Sequence, residues 1–245
     1  MITGIVVALP EELTTLTPKK IDKGDCHFVA DKLVVAYSGA GSKNARSAAK
    51  LLVTKGATRL ISWGCAAALS GTLKPGDLVL ADELIDVEGG RDAKCCVSSD
   101  WHSYAKERLE KFLAVHCGRL AESTCIVSTR MEKKQLYVLT GAVALDMESV
   151  AIAKVARQYK IPFLVIRAIV DPVDMSLPQA ISYSLNDQGE VALGKLLFFL
   201  FLHPTELPGL IKLGMYFNAA KKTLKLVAKH LDTVTGVNCS NAATF

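Results

Sequence analysis

Apolar positions along the chain fall into short continuous runs separated by stretches of helical spacing. Ile2–Ala8 is one such run, as expected of a strand buried on both faces. Lys32–Ser38 is a second, followed at once by Gly39, Ala40 and Gly41. From Ser42 to Gly56 the residues Ala45, Ala48, Ala49, Leu52 and Val53 recur with helical spacing, and Gly56 serves as a C-cap. Thr58–Trp63 reads as a third strand and Leu78–Ala81, after the turn Lys74-Pro75-Gly76-Asp77, as a fourth. The pattern then predicts an amphipathic helix from Trp101 to Cys117, a strand at Ser123–Ser128, and a short run Val143–Leu145. That run leads into a helix from about Met147 to Tyr159 and a strand at Phe163–Val170. The adjacent Cys95 and Cys96 are expected in a loop.

Strands alternate with helices up to about residue 170, which argues an α/β domain around a largely parallel or mixed sheet. The pattern changes near Gly189. Leu196–Leu202 is seven apolar residues in a row, then come His203 and Pro204, and Leu210–Leu231 sets Leu213, Phe217, Leu224 and Leu231 against lysines. The expected division is a catalytic domain over 1–189, an apolar and basic helical extension of it over 190–231, and a polar, disordered tail over 232–245. A seven-residue helix is about 10 Å long and cannot cross roughly 30 Å of hydrocarbon. It packs in a core or subunit interface, or lies at a membrane surface, where the basic helix after it would also fit.

Composition narrows the class. Of 245 residues 50% are hydrophobic and 22% charged, which suits a globular protein with a sizeable core and excludes a disordered chain, a collagen or a coiled coil. The net charge of +5 is uneven: Glu190–Leu231 holds six lysines and two acids, leaving only +1 elsewhere. No aromatic-interleaved basic patch or known module supports nucleic-acid binding. The N-terminus has no basic leader, and seven cysteines without a CxxC pair suggest a reduced protein without structural zinc. The expected location is cytoplasmic, with the inner face of the membrane as a second site.

The turn Ser38-Gly39-Ala40-Gly41 with Ala45 imitates part of a dinucleotide fingerprint, in which glycines let the backbone approach an anion at a helix N-terminus. A dinucleotide site also needs an acid at the end of the following strand. That strand ends Trp63-Gly64-Cys65-Ala66, which argues against NAD. A plain tight turn remains, or a turn facing another anion or a ribose. The informative segment is Ala144–Asp171. Met147 and Glu148 fall at a helix start, and Asp171 falls just past the carboxyl end of an apolar strand, where open α/β sheets hold ligands. An acid there is partly desolvated, which raises its pKa and suits it to donate a proton. On spacing alone, Glu148 equally well answers the helix dipole and Asp171-Pro172 a turn.

This segment resembles the signature of the purine nucleoside phosphorylase and methylthioadenosine/adenosylhomocysteine nucleosidase superfamily. Three further stretches match in order: GIVVALPEEL, SGAGSKNA and LISWGCAAALSGTLKPGDLVLAD. The resemblance implies a three-layer αβα sandwich around a mixed sheet, no metal and no organic cofactor, and a homodimer, since the superfamily usually completes its site across an interface. It implies that Glu148 grips the ribose hydroxyls with Met147 under the sugar. Asp171 would protonate N7 of the leaving purine, and Glu12 would orient an attacking water. Gly64, Cys65, Ala66 and Ser128 would line the substrate. The set is coherent, because glycosidic cleavage builds an oxocarbenium-like sugar and an anionic base.

Departures from the family pattern bear on the nucleophile. Leu9-Pro10-Glu11-Glu12 stands where the phosphorylases have a phosphate loop with glycine and arginine, and Ser62 stands where they have an arginine. Val170 replaces the serine that nucleosidases have before the acid, and Val127-Ser128-Thr129-Arg130 lacks the usual Gly-Asp. If phosphate is a co-substrate, Gly39, Gly41 and Arg46 are the candidates to hold it. From Asp171-Pro172-Val173-Asp174 through the basic tail the chain is similar to hopanoid-associated nucleoside phosphorylases, which implies adenosylhopane as substrate and contact with a membrane. The alternatives are a nucleosidase for methylthioadenosine or adenosylhomocysteine, a general purine nucleoside phosphorylase, and a non-catalytic nucleoside-binding scaffold.

Overall fold

The computed structural model describes residues 1–89, 94–184 and 193–236. One mixed sheet of nine strands runs through it: β1 (Thr3–Val7), β2 (Cys26–Ala30), β3 (Leu33–Tyr37), β4 (Arg59–Ala68), β5 (Leu78–Asp86), β6 (Lys94–Cys96), β7 (Val115–Glu122), β8 (Ala144–Asp146) and β9 (Phe163–Asp171). The order is β2-β3-β1-β4-β8-β7-β5-β6, with β9 paired to both β4 and β5. The path β4-β9-β5-β7-β8 therefore returns to β4 and closes on itself.

Strand residues alternate between two apolar cores. Val34 and Ala36 of β3 and Val165 and Ile169 of β9 face a core shared with α2 (Ser42–Thr54) and α5 (Ser149–Tyr159). Val35 and Tyr37, with Leu164 and Ile166, face the opposite core. That second core is covered by α3 (Ser99–Leu109), α8 (Leu207–Lys229) and α9 (Leu231–Thr235). The three-layer αβα sandwich follows from this alternation. The C-terminal helices are thus part of a layer: Ala220, Leu224 and Val227 of α8 are buried on the sheet, and Thr223 Oγ1 donates to the Gly76 carbonyl at 2.6 Å. Preceding them are α6 (Gln179–Ser184), α7 (Leu193–Leu202) and a 3-10 turn at Pro204–Glu206.

Several local expectations need correction. The helix placed at Trp101–Cys117 stops at Leu109, because Val115 and Cys117 pair with Leu78 and Leu80 of β5, and pairing overrides local spacing. Ser123–Ser128 is not a strand. Its Ser123 hydroxyl donates to the Cys125 carbonyl and accepts from the Cys125 amide, which turns the chain. Cys95 and Cys96 lie in β6, opposite Leu84 and Glu83, and not in a loop. Residues 232–235 do not form a polar tail: Leu231 and Val234 are buried, and Trp101 Nε1 donates to the Val234 carbonyl at 2.9 Å. Residues 237–245 lie outside the described ones. The edge strand β2 and the helix α4 (Arg130–Thr140) were not among the expected elements, although Thr129 and Glu132 form a capping box at the start of α4.

Candidate active site

The carboxyl ends of β1, β4 and β9 meet at one edge of the sheet, where Glu12, Glu148 and Asp171 are all buried. Glu12 sits on the single turn α1 (Pro10–Leu13), which Pro10 starts. Its carboxylate is fixed by two backbone amides: Leu9 N donates to Oε2 at 3.1 Å and Cys65 N to Oε1 at 2.7 Å. Gly64 makes this possible. A Cβ there would lie 2.6 Å from Glu12 Oε1 and 2.4 Å from Arg167 Nη1, so the strand must lack a side chain at that point.

Arg167 is the charge at the centre. It points from β9 with its side chain 2% exposed, its Nη2 2.6 Å from Asp146 Oδ2 and 3.9 Å from Glu148 Oε2. Nη2 also donates to Ser62 Oγ at 2.7 Å and Ser149 Oγ at 3.1 Å. Glu148 Oε1 accepts from the Gly41 amide at 2.8 Å, which ties it to the glycine turn after β3. Behind it, Glu122 Oε2 accepts from the amides of Val150 and Ala151 at 2.6 and 3.1 Å, and Oε1 from Ser42 Oγ at 2.9 Å. Glu122 thereby holds the first turn of α5, and with it the backbone that carries Glu148.

Burial dominates the electrostatics. It raises the Glu12 carboxyl above its usual range, with Arg167 pulling the other way. Burial and then Asp146 push Glu148 up to about 7, and the same two causes push Glu122 up to about 6. The Cys65 thiol is raised well above its ordinary value by burial and Glu12, so it is no thiolate at neutral pH.

Asp171 lies two residues further along β4 than the Glu12 contact, opposite Ala67, so roughly 7 Å along the strand. The register between β4 and β9 shifts there, and Val170 bulges out of the pairing, which re-aims the acid after it. Burial raises its pKa, and Lys133 pulls it back. Lys133, fully buried on α4, holds its Nζ 2.6 Å from Asp171 Oδ1 and donates to the carbonyls of Pro172 at 3.1 Å and Met175 at 2.8 Å. Two of its three N–H groups go to those carbonyls, and the third faces Asp171 Oδ1 within hydrogen-bond distance.

The other expected residues are placed as follows. Met147 is half-buried beside Glu148, and its carbonyl accepts from Ser42 Oγ at 3.2 Å. Ala66 is buried on β4, and Gly64 and Cys65 line the Glu12 carboxylate. The Ser128 carbonyl accepts from Leu177 N at 2.8 Å, joining the segment before α4 to the loop after Asp171. Gly39 and Gly41 take φ of +77° and +93°, a turn open to glycine, but the Gly41 amide is already given to Glu148. Arg46 is exposed on α2, outside the buried cluster. Sequence reasoning missed Arg167, Asp146, Glu122 and Lys133. An arginine inside the apolar run FLVIRAIVD was a legible anomaly. Lys133 sits in an ordinary charged helix sequence and gave no such signal.

The sequence pattern of the Phosphorylase superfamily matches residues 3–191. The chain belongs to that superfamily. An enzyme of that class was the expectation, and the match supports it. Among relatives, a 5′-methylthioadenosine/S-adenosylhomocysteine nucleosidase of Buchnera aphidicola is 29% identical, covering 75% of this chain and 83% of its own length. One of Staphylococcus aureus is 25% identical over 69% of this chain and 85% of its own. Among solved structures, the Helicobacter pylori nucleosidase of the same name superposes with a TM-score of 0.70 at 21% identity, covering 96% and 97% of the two chains. Futalosine hydrolase of the same organism superposes with 0.68 at 21% identity, covering 96% and 97%. These superpositions bear on the fold alone.

Proposed function

We propose that this superfamily member cleaves the N-glycosidic bond of an adenine nucleoside. The observation that carries the reading is the pair of buried carboxyls at one sheet edge, Glu12 held ionisable by two amides and Asp171 kept beside a proton-bearing cation. Glu148 binds the ribose hydroxyls, Glu12 orients the nucleophile, and Asp171 protonates N7 as the C1′–N9 bond breaks. A positioned acid of this kind supplies about 10²–10⁴-fold in rate. Water is the favoured nucleophile. Glu12 stands ready to take its proton, whereas the Gly41 amide and the Arg167 guanidinium are committed to carboxylates and Arg46 is exposed.

The finer reading is a lipid-linked nucleoside, adenosylhopane, giving adenine and a ribosyl-hopane within hopanoid biosynthesis. Phe198, Phe201 and Leu202 of α7 and Leu207, Ile211 and Met215 of α8 are exposed, while Lys222, Lys225 and Lys229 continue the same face of α8. An apolar tip backed by lysines suits an anionic leaflet, where each lysine is worth about 1 kcal/mol. This end of α8 packs on the loop after Asp171: a Cβ on Gly209 would lie 3.3 Å from Pro178. No helix among the described residues is long and apolar enough to cross a membrane, so contact would be peripheral. Met131, Val138 and Leu139, exposed on α4, support a second copy of the chain as partner. The names of the relatives favour a second substrate reading, methylthioadenosine or adenosylhomocysteine.

Adenine release, followed with adenosylhopane in anionic vesicles and with methylthioadenosine in solution, tests this. Faster release from the lipid substrate, unaffected by phosphate, is expected. Preference for the soluble nucleoside would establish the second reading, and an absolute need for phosphate would exclude water.

A further inference from the structure

Lys133 raises a problem for the acid it touches. A carboxyl that must deliver a proton is held against an ammonium, a neighbour that favours the ionised form. The same burial that raises Asp171 lowers Lys133, so the proton is shared more evenly between them than between an exposed pair. The groups that face the ammonium are Asp171 from β9, Asp174 from the loop beyond it, and Arg130 from its own helix. The ammonium is also rigidly placed. Thr129 and Glu132 form a reciprocal cap at the start of α4, one residue before it, and the Pro172 and Met175 carbonyls fix its head.

Resting on the glycosidic reading above, we propose that Lys133 is a positioning residue that acts through Asp171 as its proton reserve. As the C1′–N9 bond breaks, its electron pair stays with the purine. N7 takes a proton from Asp171, and the Lys133 ammonium passes one of its three N–H protons to the carboxylate oxygen beside it. The pair begins as an ammonium beside a protonated acid, gives one proton to the base, and ends as a neutral amine beside a protonated acid. Solvent restores the ammonium after the products leave. An arginine could supply the same charge and hydrogen bonds but could not release the proton.

Single-turnover adenine release by the wild-type protein is measured against pH first. A rate sustained above about pH 7.5 is expected, since the proton is drawn from an amine; a fall already in the carboxyl range, below that, would overturn the proposal. Lys133→Met and Lys133→Arg are then compared on the adenine nucleoside and on the same ribosyl group carrying 4-nitrophenolate, a leaving group that needs no proton. At pH 8 both variants should lose at least tenfold on the adenine substrate while keeping the nitrophenolate rate within about threefold. The alkaline limb of Lys133→Met should move down by more than one pH unit. Equal losses on both substrates, or rescue by arginine, would make Lys133 structural only. If neither variant folds, the wild-type profile decides. A wild-type protein that releases no adenine from any adenine nucleoside would instead refute the glycosidic reading itself.

Discussion

Arg167 and Lys133 are both buried cations that face carboxylates at the same edge of the sheet, yet their surroundings differ in kind. Arg167 meets Asp146 at 2.6 Å, approaches Glu148, and stands over the Glu12 carboxylate at Gly64. One fixed positive charge thus serves three acids. Lys133 meets one acid and spends its other hydrogen bonds on two carbonyls. A guanidinium stays charged at any working pH and forks across several acceptors, so it suits a site that must hold shape. An ammonium is a point charge that burial can deprive of its proton, so it suits a site where a proton moves. The ribose and nucleophile side is built as a fixed frame, and the base side as a titrating pair.

Removing the fixed charge should have the largest effect. Arg167→Met leaves Glu12, Asp146 and Glu148 buried without their cation, at a cost of about 3–5 kcal/mol for an orphaned buried charge. Urea unfolding at pH 7.5 should show it, with a smaller loss at pH 5, where Glu148 is protonated. A loss under about 1 kcal/mol would mean that the three acids do not depend on Arg167.

The acid on the other side should matter more to rate than to stability. Asp171→Asn should lower adenine release by about 10²–10⁴-fold. It should lower the unfolding midpoint less than Arg167→Met does, because the Pro172 and Met175 carbonyls still hold the buried ammonium. Turnover within tenfold of wild type would remove Asp171 from the role of acid. Between these cases lies Gly64→Ala. The added methyl would press on both Glu12 and Arg167, and a displacement near 1 Å at a reacting group costs about 10²-fold. Kinetics should show the loss in kcat, with circular dichroism unchanged.

How much of this was legible in the sequence depended on whether chemistry or packing carried the signal. Buried strands such as Phe163–Asp171 announced themselves as apolar runs, and Asp171 as the charge that ends one. Glu12, Glu148 and Asp171 came through the motifs around them. Asp146 and Glu122 did not, because their task is to hold the backbone of α5, and nothing in the sequence near Glu122 shows that a helix 28 residues on will donate to it. Lys133 was hidden for a related reason: burial of one lysine in α4 is decided by the loop after β9 folding onto it. The C-terminal helices were half legible. Lysines marked the exposed face of α8, while the role of Ala220, Leu224 and Val227 as a wall of the core needed the fold.

The smallest effect sharpens the contrast between the two sides through stability and pH. Glu122 is raised from 4.5 to about 6 and Glu148 to about 7, by burial first and Asp146 second. For an acid raised on folding, the folded state keeps a proton that the unfolded chain has lost. Stability from these groups is therefore complete below about pH 4.5 and is lost as pH rises through 6 to 7. At 1.36 kcal/mol per unit, Glu122 alone accounts for about 2 kcal/mol across that window. Glu122→Gln mimics the protonated acid, and its remaining carbonyl oxygen can still accept from the Val150 amide. The variant should match wild type near pH 5 and exceed it by about 1–2 kcal/mol at pH 7.5 in urea unfolding, while Asp171→Asn removes a smaller part of the slope. A slope that vanishes instead with Asp171→Asn would place the dominant titration on the Lys133 side and reverse the comparison.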